Sequence, residues 1–194
     1  MKTRHVAALL TTVVATAATA ATALAGTSQA AESHRPFTFA HGTFGEYGSG
    51  RTATTYDPEL VPTGARATVF ALSNQRVGTM TKLAVAGLLP NRHYGAHVHT
   101  KPCGATGADA GPHFQYTPDP VSPSTDPAYA NPDNEIWLDF TTSPAGSAFT
   151  LSHVDWSFAE RRPASVVLHE HHTSTAPGEA GAAGSRLACI DVAF

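Results

Sequence analysis

Positive charge is in short supply in this chain: 12 Lys and Arg stand against 15 Asp and Glu, for a net charge of -3. No basic run offers the surplus of cations that phosphate neutralisation needs, which excludes nucleic acid as a partner. No stretch carries a 3.6-residue apolar stripe between caps, so helices should be scarce. No fixed-period repeat occurs, and no second long apolar span follows the one at the N-terminus. Cysteine is present only at Cys103 and Cys189, which limits the covalent framework to a single disulfide.

The first residues read MKTRHVAALLTTVVATAATAATALAGTSQA. Lys2 and Arg4 precede a run of Ala, Val, Leu and Thr, and small residues follow, which is the pattern of a secretory signal peptide over residues 1–30. Cleavage is expected after Ala25 or Ala30. A membrane anchor is the weaker reading, because threonines dilute the apolar run and no stop-transfer segment follows. The mature protein is therefore expected to be secreted, with no stable membrane insertion once the signal is removed. In that oxidising compartment Cys103 and Cys189 are expected to pair. The long loop this closes is worth on the order of 4 kcal/mol in the chain-entropy account.

Short segments rich in β-branched and aromatic residues, or alternating apolar with polar, run through the rest: Phe37 to Tyr47, Ala67 to Ser73, Thr79 to Leu88, His93 to Thr100, Glu135 to Thr142, Phe149 to Phe158, Ser165 to His169 and Arg186 to Phe194. Turn residues such as Pro90-Asn91 separate them. Many short strands with turns between them predict an all-β sandwich or barrel of one domain. Residues 101–134 and 173–185 have no strand pattern. Each begins just after a histidine cluster, a placement that marks both long loops as functional.

Those clusters carry the chemistry. On a strand, His97 and His99 of GAHVHT project to the same side. An exposed pair of this kind is by itself more often surface decoration than a ligand set. His113 lies in a loop, in AGPHFQ, and His169 ends the apolar run ASVVL. Four neutral imidazoles without a thiolate suit copper(II) best among common divalent ions, with zinc as the competitor.

GAHVHTKPC, AGPHFQ, SVVLHE and AGSRLACIDVAF together resemble, in order, the motif set of the extracellular copper/zinc superoxide dismutases. The resemblance runs from about Ala67 to the C-terminus, leaving residues 31–66 as an N-terminal extension with a first strand and 67–194 as the catalytic-type domain. It implies an eight-stranded Greek-key β-barrel or sandwich with two long functional loops. It implies that His97, His99 and His169 are copper ligands, that His113 is the histidine which elsewhere bridges copper and zinc, that Cys103 and Cys189 form the intrachain disulfide, and that Arg186 holds the superoxide anion beside the metal.

Two departures change the expectation. The loop FQYTPDPVSPSTDPAYANPDNE has no histidine, where zinc-containing relatives supply two and an aspartate. It offers only carboxylates, chiefly Asp119, Asp126, Asp133 and Glu135, which a closed zinc site does not favour. Thr173 stands where such relatives place an aspartate four residues after the last copper histidine. The expectation is a secreted superoxide dismutase with copper and without zinc, in which Glu135 or Asp133 takes over the outer nitrogen of His113. The loop EHHTSTAPGEAGAAGS also lacks Lys and Arg, which leaves steering of the anion mostly to Arg186. The rival reading is a secreted copper store or delivery protein, with His171 and His172 as a weak second site; Arg186 argues for turnover. The oligomeric state is not encoded in any motif.

Overall fold

The computed structural model describes residues 37–48 and 50–194; the expected signal peptide lies outside them. Nine strands follow in order: β1 (Phe37–Thr43), β2 (Ala53–Thr55), β3 (Arg66–Asn74), β4 (Gly78–Ala86), β5 (His93–His99), β6 (Phe140–Thr141), β7 (Ala148–Val154), β8 (Ser165–His169) and β9 (Arg186–Asp191). The one helical element among the described residues is a 3-10 turn at Gly107–Ala110. No helix among them is long and apolar enough to cross a membrane.

The strands form two antiparallel sheets, ordered β1-β3-β4-β7 and β2-β9-β8-β5-β6. The neighbour of β4 in the first sheet is β7, which arrives only after β5 and β6 have been laid down in the second. That return is the Greek-key connection. The sheets do not close into a barrel, so of the two expected forms the architecture is the all-β sandwich, with nine strands counted in place of eight.

Period-two alternation fills the space between the sheets. Val69 and Leu83 from the first sheet meet Tyr94, Val98, Val166, Leu168 and Ile190 from the second in one buried cluster. The first sheet turns its other face outward. The second is covered on both faces: Ala110, Val167 and Cys189 form a smaller cluster on its outer side, packed against Tyr56 and Cys103. Double coverage explains why SVVLH reads as an unbroken apolar run. It also identifies the outer side of this sheet as the place where loops 101–134 and 170–184 settle.

Two segments depart from the sequence reading. Ala53–Thr55 pairs with β9, Thr54 opposite Cys189, although three residues are too few to show alternation. Glu135–Thr142, expected as a full strand, is regular only at Phe140–Thr141. Before that the chain meets β5 through separate bonds, Leu138 N to the Ala96 carbonyl (2.7 Å) and Val98 N to the Ile136 carbonyl (3.3 Å). Ile136 and Leu138 enter the core, and the carboxylate of Glu135, just before them, is spent on bonds to His113, Gln115 and Trp137 beside the histidines.

Candidate metal centre

Antiparallel pairing brings the histidines together. Gly95 lies opposite His169 and His97 opposite Val167, so His97, His99 and His169 share the outer face of the second sheet. His113 is delivered by the loop, which runs back along β5: Thr100 N bonds to the Pro112 carbonyl (3.1 Å) and Phe114 N to the Val98 carbonyl (2.8 Å). One ligand atom from each of the four lies within 4.8 Å of the others. His97 and His99 are fully buried and His169 is 3% exposed. Gly95 makes the packing possible, since a Cβ there would strike the His171 carbonyl and approach Ala183 Cβ to 2.9 Å.

Hydrogen bonds assign a role to each ring nitrogen. His99 Nδ1 lies 2.9 Å from the Gly111 carbonyl; a carbonyl only accepts, so Nδ1 carries the proton and Nε2 is bare. Gly111 holds that carbonyl in place at φ 72°, a conformation that favours glycine. His113 Nδ1 donates to Glu135 Oε2 at 2.8 Å, leaving its Nε2 bare. His97 Nε2 is 2.6 Å from the Thr173 hydroxyl, and that hydroxyl donates to Asp139 Oδ1 at 2.8 Å. The threonine oxygen therefore accepts from His97, whose Nδ1 is left without a proton, buried and without a partner. His169 Nδ1 is also buried without a well-formed hydrogen bond, and its Nε2 approaches His99 Nε2 at 3.3 Å. A cation between these two nitrogens would be held by both rings.

Burial holds these rings neutral. His97 and His99 are pushed well below the ordinary histidine range, first by loss of solvent and then by the neighbouring imidazoles and Arg186. His169 is driven to about 3 by the same burial, with His113 and Arg186 adding to it and the Gly184 carbonyl working weakly against it. Neutral imidazole is the form that ligates metal.

The two carboxylates anticipated from sequence separate clearly. Glu135 is 1% exposed and accepts from His113, from Gln115 Nε2 (2.8 Å) and from Trp137 Nε1 (2.7 Å). Asp133 is exposed. Its backbone N–H is taken by Asn131 in a turn and its carbonyl by the Trp156 indole, so it does not reach the histidines and is corrected as a candidate. Asp119 and Asp126 accept backbone N–H groups within the loop. Among the described residues the four histidines are the only group of three or more potential ligands close enough for one ion.

Sequence reasoning missed Asp139. It accepts Thr173 N (2.6 Å) as well as the Thr173 hydroxyl and Ala96 N (3.1 Å), so an acid on the segment after Glu135 supports His97 through Thr173. The signal was present only as polar alternation in EIWLD, with nothing to name the partner.

A cavity of about 960 Å³ opens above the cluster, lined by His113, His169, Glu135, Arg161 and Arg186 among others. Arg186 lies opposite His169 across the β8–β9 pair, and its Nη1 donates to the Gly107 carbonyl at 2.8 Å. Partial burial lowers its pKa from the usual arginine value. Arg161, not singled out from sequence, donates to the Gln115 and Tyr116 carbonyls (both 2.9 Å) and lies 5.1 Å from the Phe114 ring centroid. Cys103 and Cys189 form a disulfide that ties the start of the first long loop to β9, and Cys103 N bonds to Asp191 Oδ1 at 2.7 Å.

No family model and no curated protein matches the sequence. Among solved structures, the Cu/Zn superoxide dismutase from Brucella abortus superposes with a TM-score of 0.54 at 18% identity, covering 79% of this chain and 98% of that one. A mutant of a SOD-like protein from Bacillus subtilis gives 0.50 at 14% identity, covering 64% and 88%. This chain has the Cu/Zn superoxide dismutase fold. On that superoxide dismutase scaffold it presents a donor set of four imidazole nitrogens with no thiolate or carboxylate, suited to copper(II) or zinc. The orphaned Nδ1 of His97 and the close Nε2 atoms of His99 and His169 fit such an ion.

Proposed function

We propose that this chain is a secreted superoxide dismutase that works with copper and without zinc. The observation that carries the reading is the convergence of four imidazoles beneath a cavity whose wall bears Arg186. Bound by His97, His99, His113 and His169, copper would supply the electron chemistry by which two superoxide anions and two protons become dioxygen and hydrogen peroxide.

The chain's own residues account for the rest. Arg186 stays charged at any physiological pH, and its planar fork suits a small anion next to His169. A copper store has no need of such a cation. Glu135 keeps the proton of His113 on Nδ1, so Nε2 faces the cavity side. Thr173 and Asp139 do the corresponding work at His97. Such outer partners orient imidazole ligands and raise their basicity.

The absence of zinc is supported by the use of His113 Nδ1 for Glu135 and by the dispersal of the loop carboxylates into turns. The test is dismutation by protein loaded with copper alone, with metals quantified on the same sample, beside Arg186→Ala. Rapid turnover with one copper and no retained zinc, reduced strongly by the substitution, is expected. Stoichiometric zinc overturns the zinc-free assignment. Tight copper binding with negligible turnover assigns the chain to copper storage or delivery.

A further inference from the structure

The outer face of the first sheet, remote from the histidines, is unusually apolar. Register sets its rows: Phe37, Leu72, Met80 and His153; then Phe39, Phe70, Lys82 and Leu151; then His41, Thr68, Ala84 and Phe149. Phe39 is 68% exposed, Phe149 66%, Phe37 56% and Leu151 48%. These are large side chains on contiguous positions of one surface, not single apolar residues scattered among polar ones. Contiguous apolar faces of this kind mark contact with a protein or a membrane.

Charge distinguishes the two. The same face carries Lys82 in its second row and Arg66 next to Ala86, and no Asp or Glu occurs at any outward position of β1, β3, β4 or β7. Neither cation has a carboxylate within ion-pair distance among the described residues. A chain with a net charge of -3 has thus kept its acids off this one surface. A second copy of the face would bring only further cations to Lys82 and Arg66. An acidic protein would satisfy the cations but leave the aromatic rows without a matching apolar surface. Anionic phospholipid offers both: acyl chains below for the rings, and phosphates at the level reached by the ammonium and guanidinium groups, whose aliphatic stems lie over the apolar surface.

We infer that the outer face of the β1-β3-β4-β7 sheet docks on anionic lipid bilayers. Phe37, Phe39, Phe149 and Leu151 enter the headgroup boundary, while Lys82 and Arg66 pair with phosphate. The metal centre lies on the outer side of the opposite sheet, so docking leaves its cavity facing away from the bilayer. The proposal does not depend on the metal or on turnover.

The experiment is sedimentation of the protein beginning at Ala31 with vesicles of phosphatidylglycerol and phosphatidylcholine, against phosphatidylcholine alone. Binding is expected only with phosphatidylglycerol and should fall steeply as salt rises to about 0.5 M. Lys82→Gln should weaken partition roughly five-fold, the loss of one cation near a charged surface. Phe39→Ser with Leu151→Ser should weaken it at least about ten-fold. An unchanged far-ultraviolet circular dichroism spectrum and a cooperative thermal unfolding transition in each variant show that the fold is kept. Should the double variant fail to fold, Lys82→Gln and the lipid comparison decide alone. Equal binding to both vesicles, no binding to either, or binding unaffected by the substitutions overturns the inference. A dimer in solution that Phe39→Ser dissociates does so as well, by assigning the face to a second copy.

Discussion

His97 and Asp139 are joined through one hydroxyl: the ring Nε2 lies 2.6 Å from Thr173 Oγ1, which lies 2.8 Å from the Asp139 carboxylate. Direct contact is absent, the carboxylate being 3.9 Å from the ring. Thr173 thus links an acid to His97 at one remove.

Removing that hydroxyl should be felt at the metal. Thr173→Val keeps the shape but leaves His97 Nε2–H without an acceptor. Loss of such an outer partner typically weakens metal binding about ten- to a hundred-fold, and Thr173→Ser should restore it. Competition titration with a copper chelator measures the change, and the electron paramagnetic resonance spectrum of the copper(II) form should shift in Val but not in Ser. Equal affinity in all three proteins contradicts the relay.

Glu135 should be more costly to lose than a typical buried side chain. Glu135→Ala leaves donors on His113, Gln115 and Trp137 unpaired, and each buried orphan costs about 1–3 kcal/mol. A loss of about 3 kcal/mol or more in urea unfolding of the metal-free protein is expected. A change below about 1 kcal/mol would mean that water takes over the three bonds.

Acid should destabilise the metal-free protein before carboxylates come into play. Burial places the folded pKa values of His97, His99 and His169 below the ordinary histidine value of 6.5, that of His169 at about 3. Below about pH 6.5 the unfolded chain therefore binds protons that the folded chain refuses, and stability falls as pH falls. The slope reaches up to about 1.4 kcal/mol per pH unit for each ring, and above about pH 7.5 the three contribute nothing. Chemical denaturation across this range measures it. A stability profile that is level from neutral pH to about pH 4 contradicts the buried neutral set.

Arg186→Ala should lower kcat/KM for superoxide at least about ten-fold while leaving copper content unchanged. The wild-type rate should depend only weakly on ionic strength, because the 173–185 loop adds no cation and a guanidinium beside the reacting anion is little screened. Arg161, on the same cavity wall, should contribute the smaller share. A steep salt dependence that survives Arg161→Gln would place the steering field elsewhere.

Much of this was legible in the sequence because it is written in short range. Alternation exposed β3, β4 and β5, an unbroken apolar run exposed β8, and the His-x-His spacing placed two rings on one side of a strand. What escaped depends on tertiary pairing. The three residues of β2 are a strand only because β9 passes beside them. Asp139 meets Thr173 across loops that share no spacing, and Arg161 enters the cavity wall from a segment without strand or motif. Choosing Glu135 over Asp133 required the face on which each emerges, which a break in the β5 ladder decides.

Three of the four imidazoles ride on two neighbouring strands, β5 and β8, and only His113 belongs to a loop. The receptor for the ion is therefore mostly assembled by backbone pairing before any metal arrives. Capture requires a single ring to close on three that are already in place, so the ordering entropy charged to metal uptake is small. In a compartment without a dedicated assembly machine, such a site could fill by encounter alone.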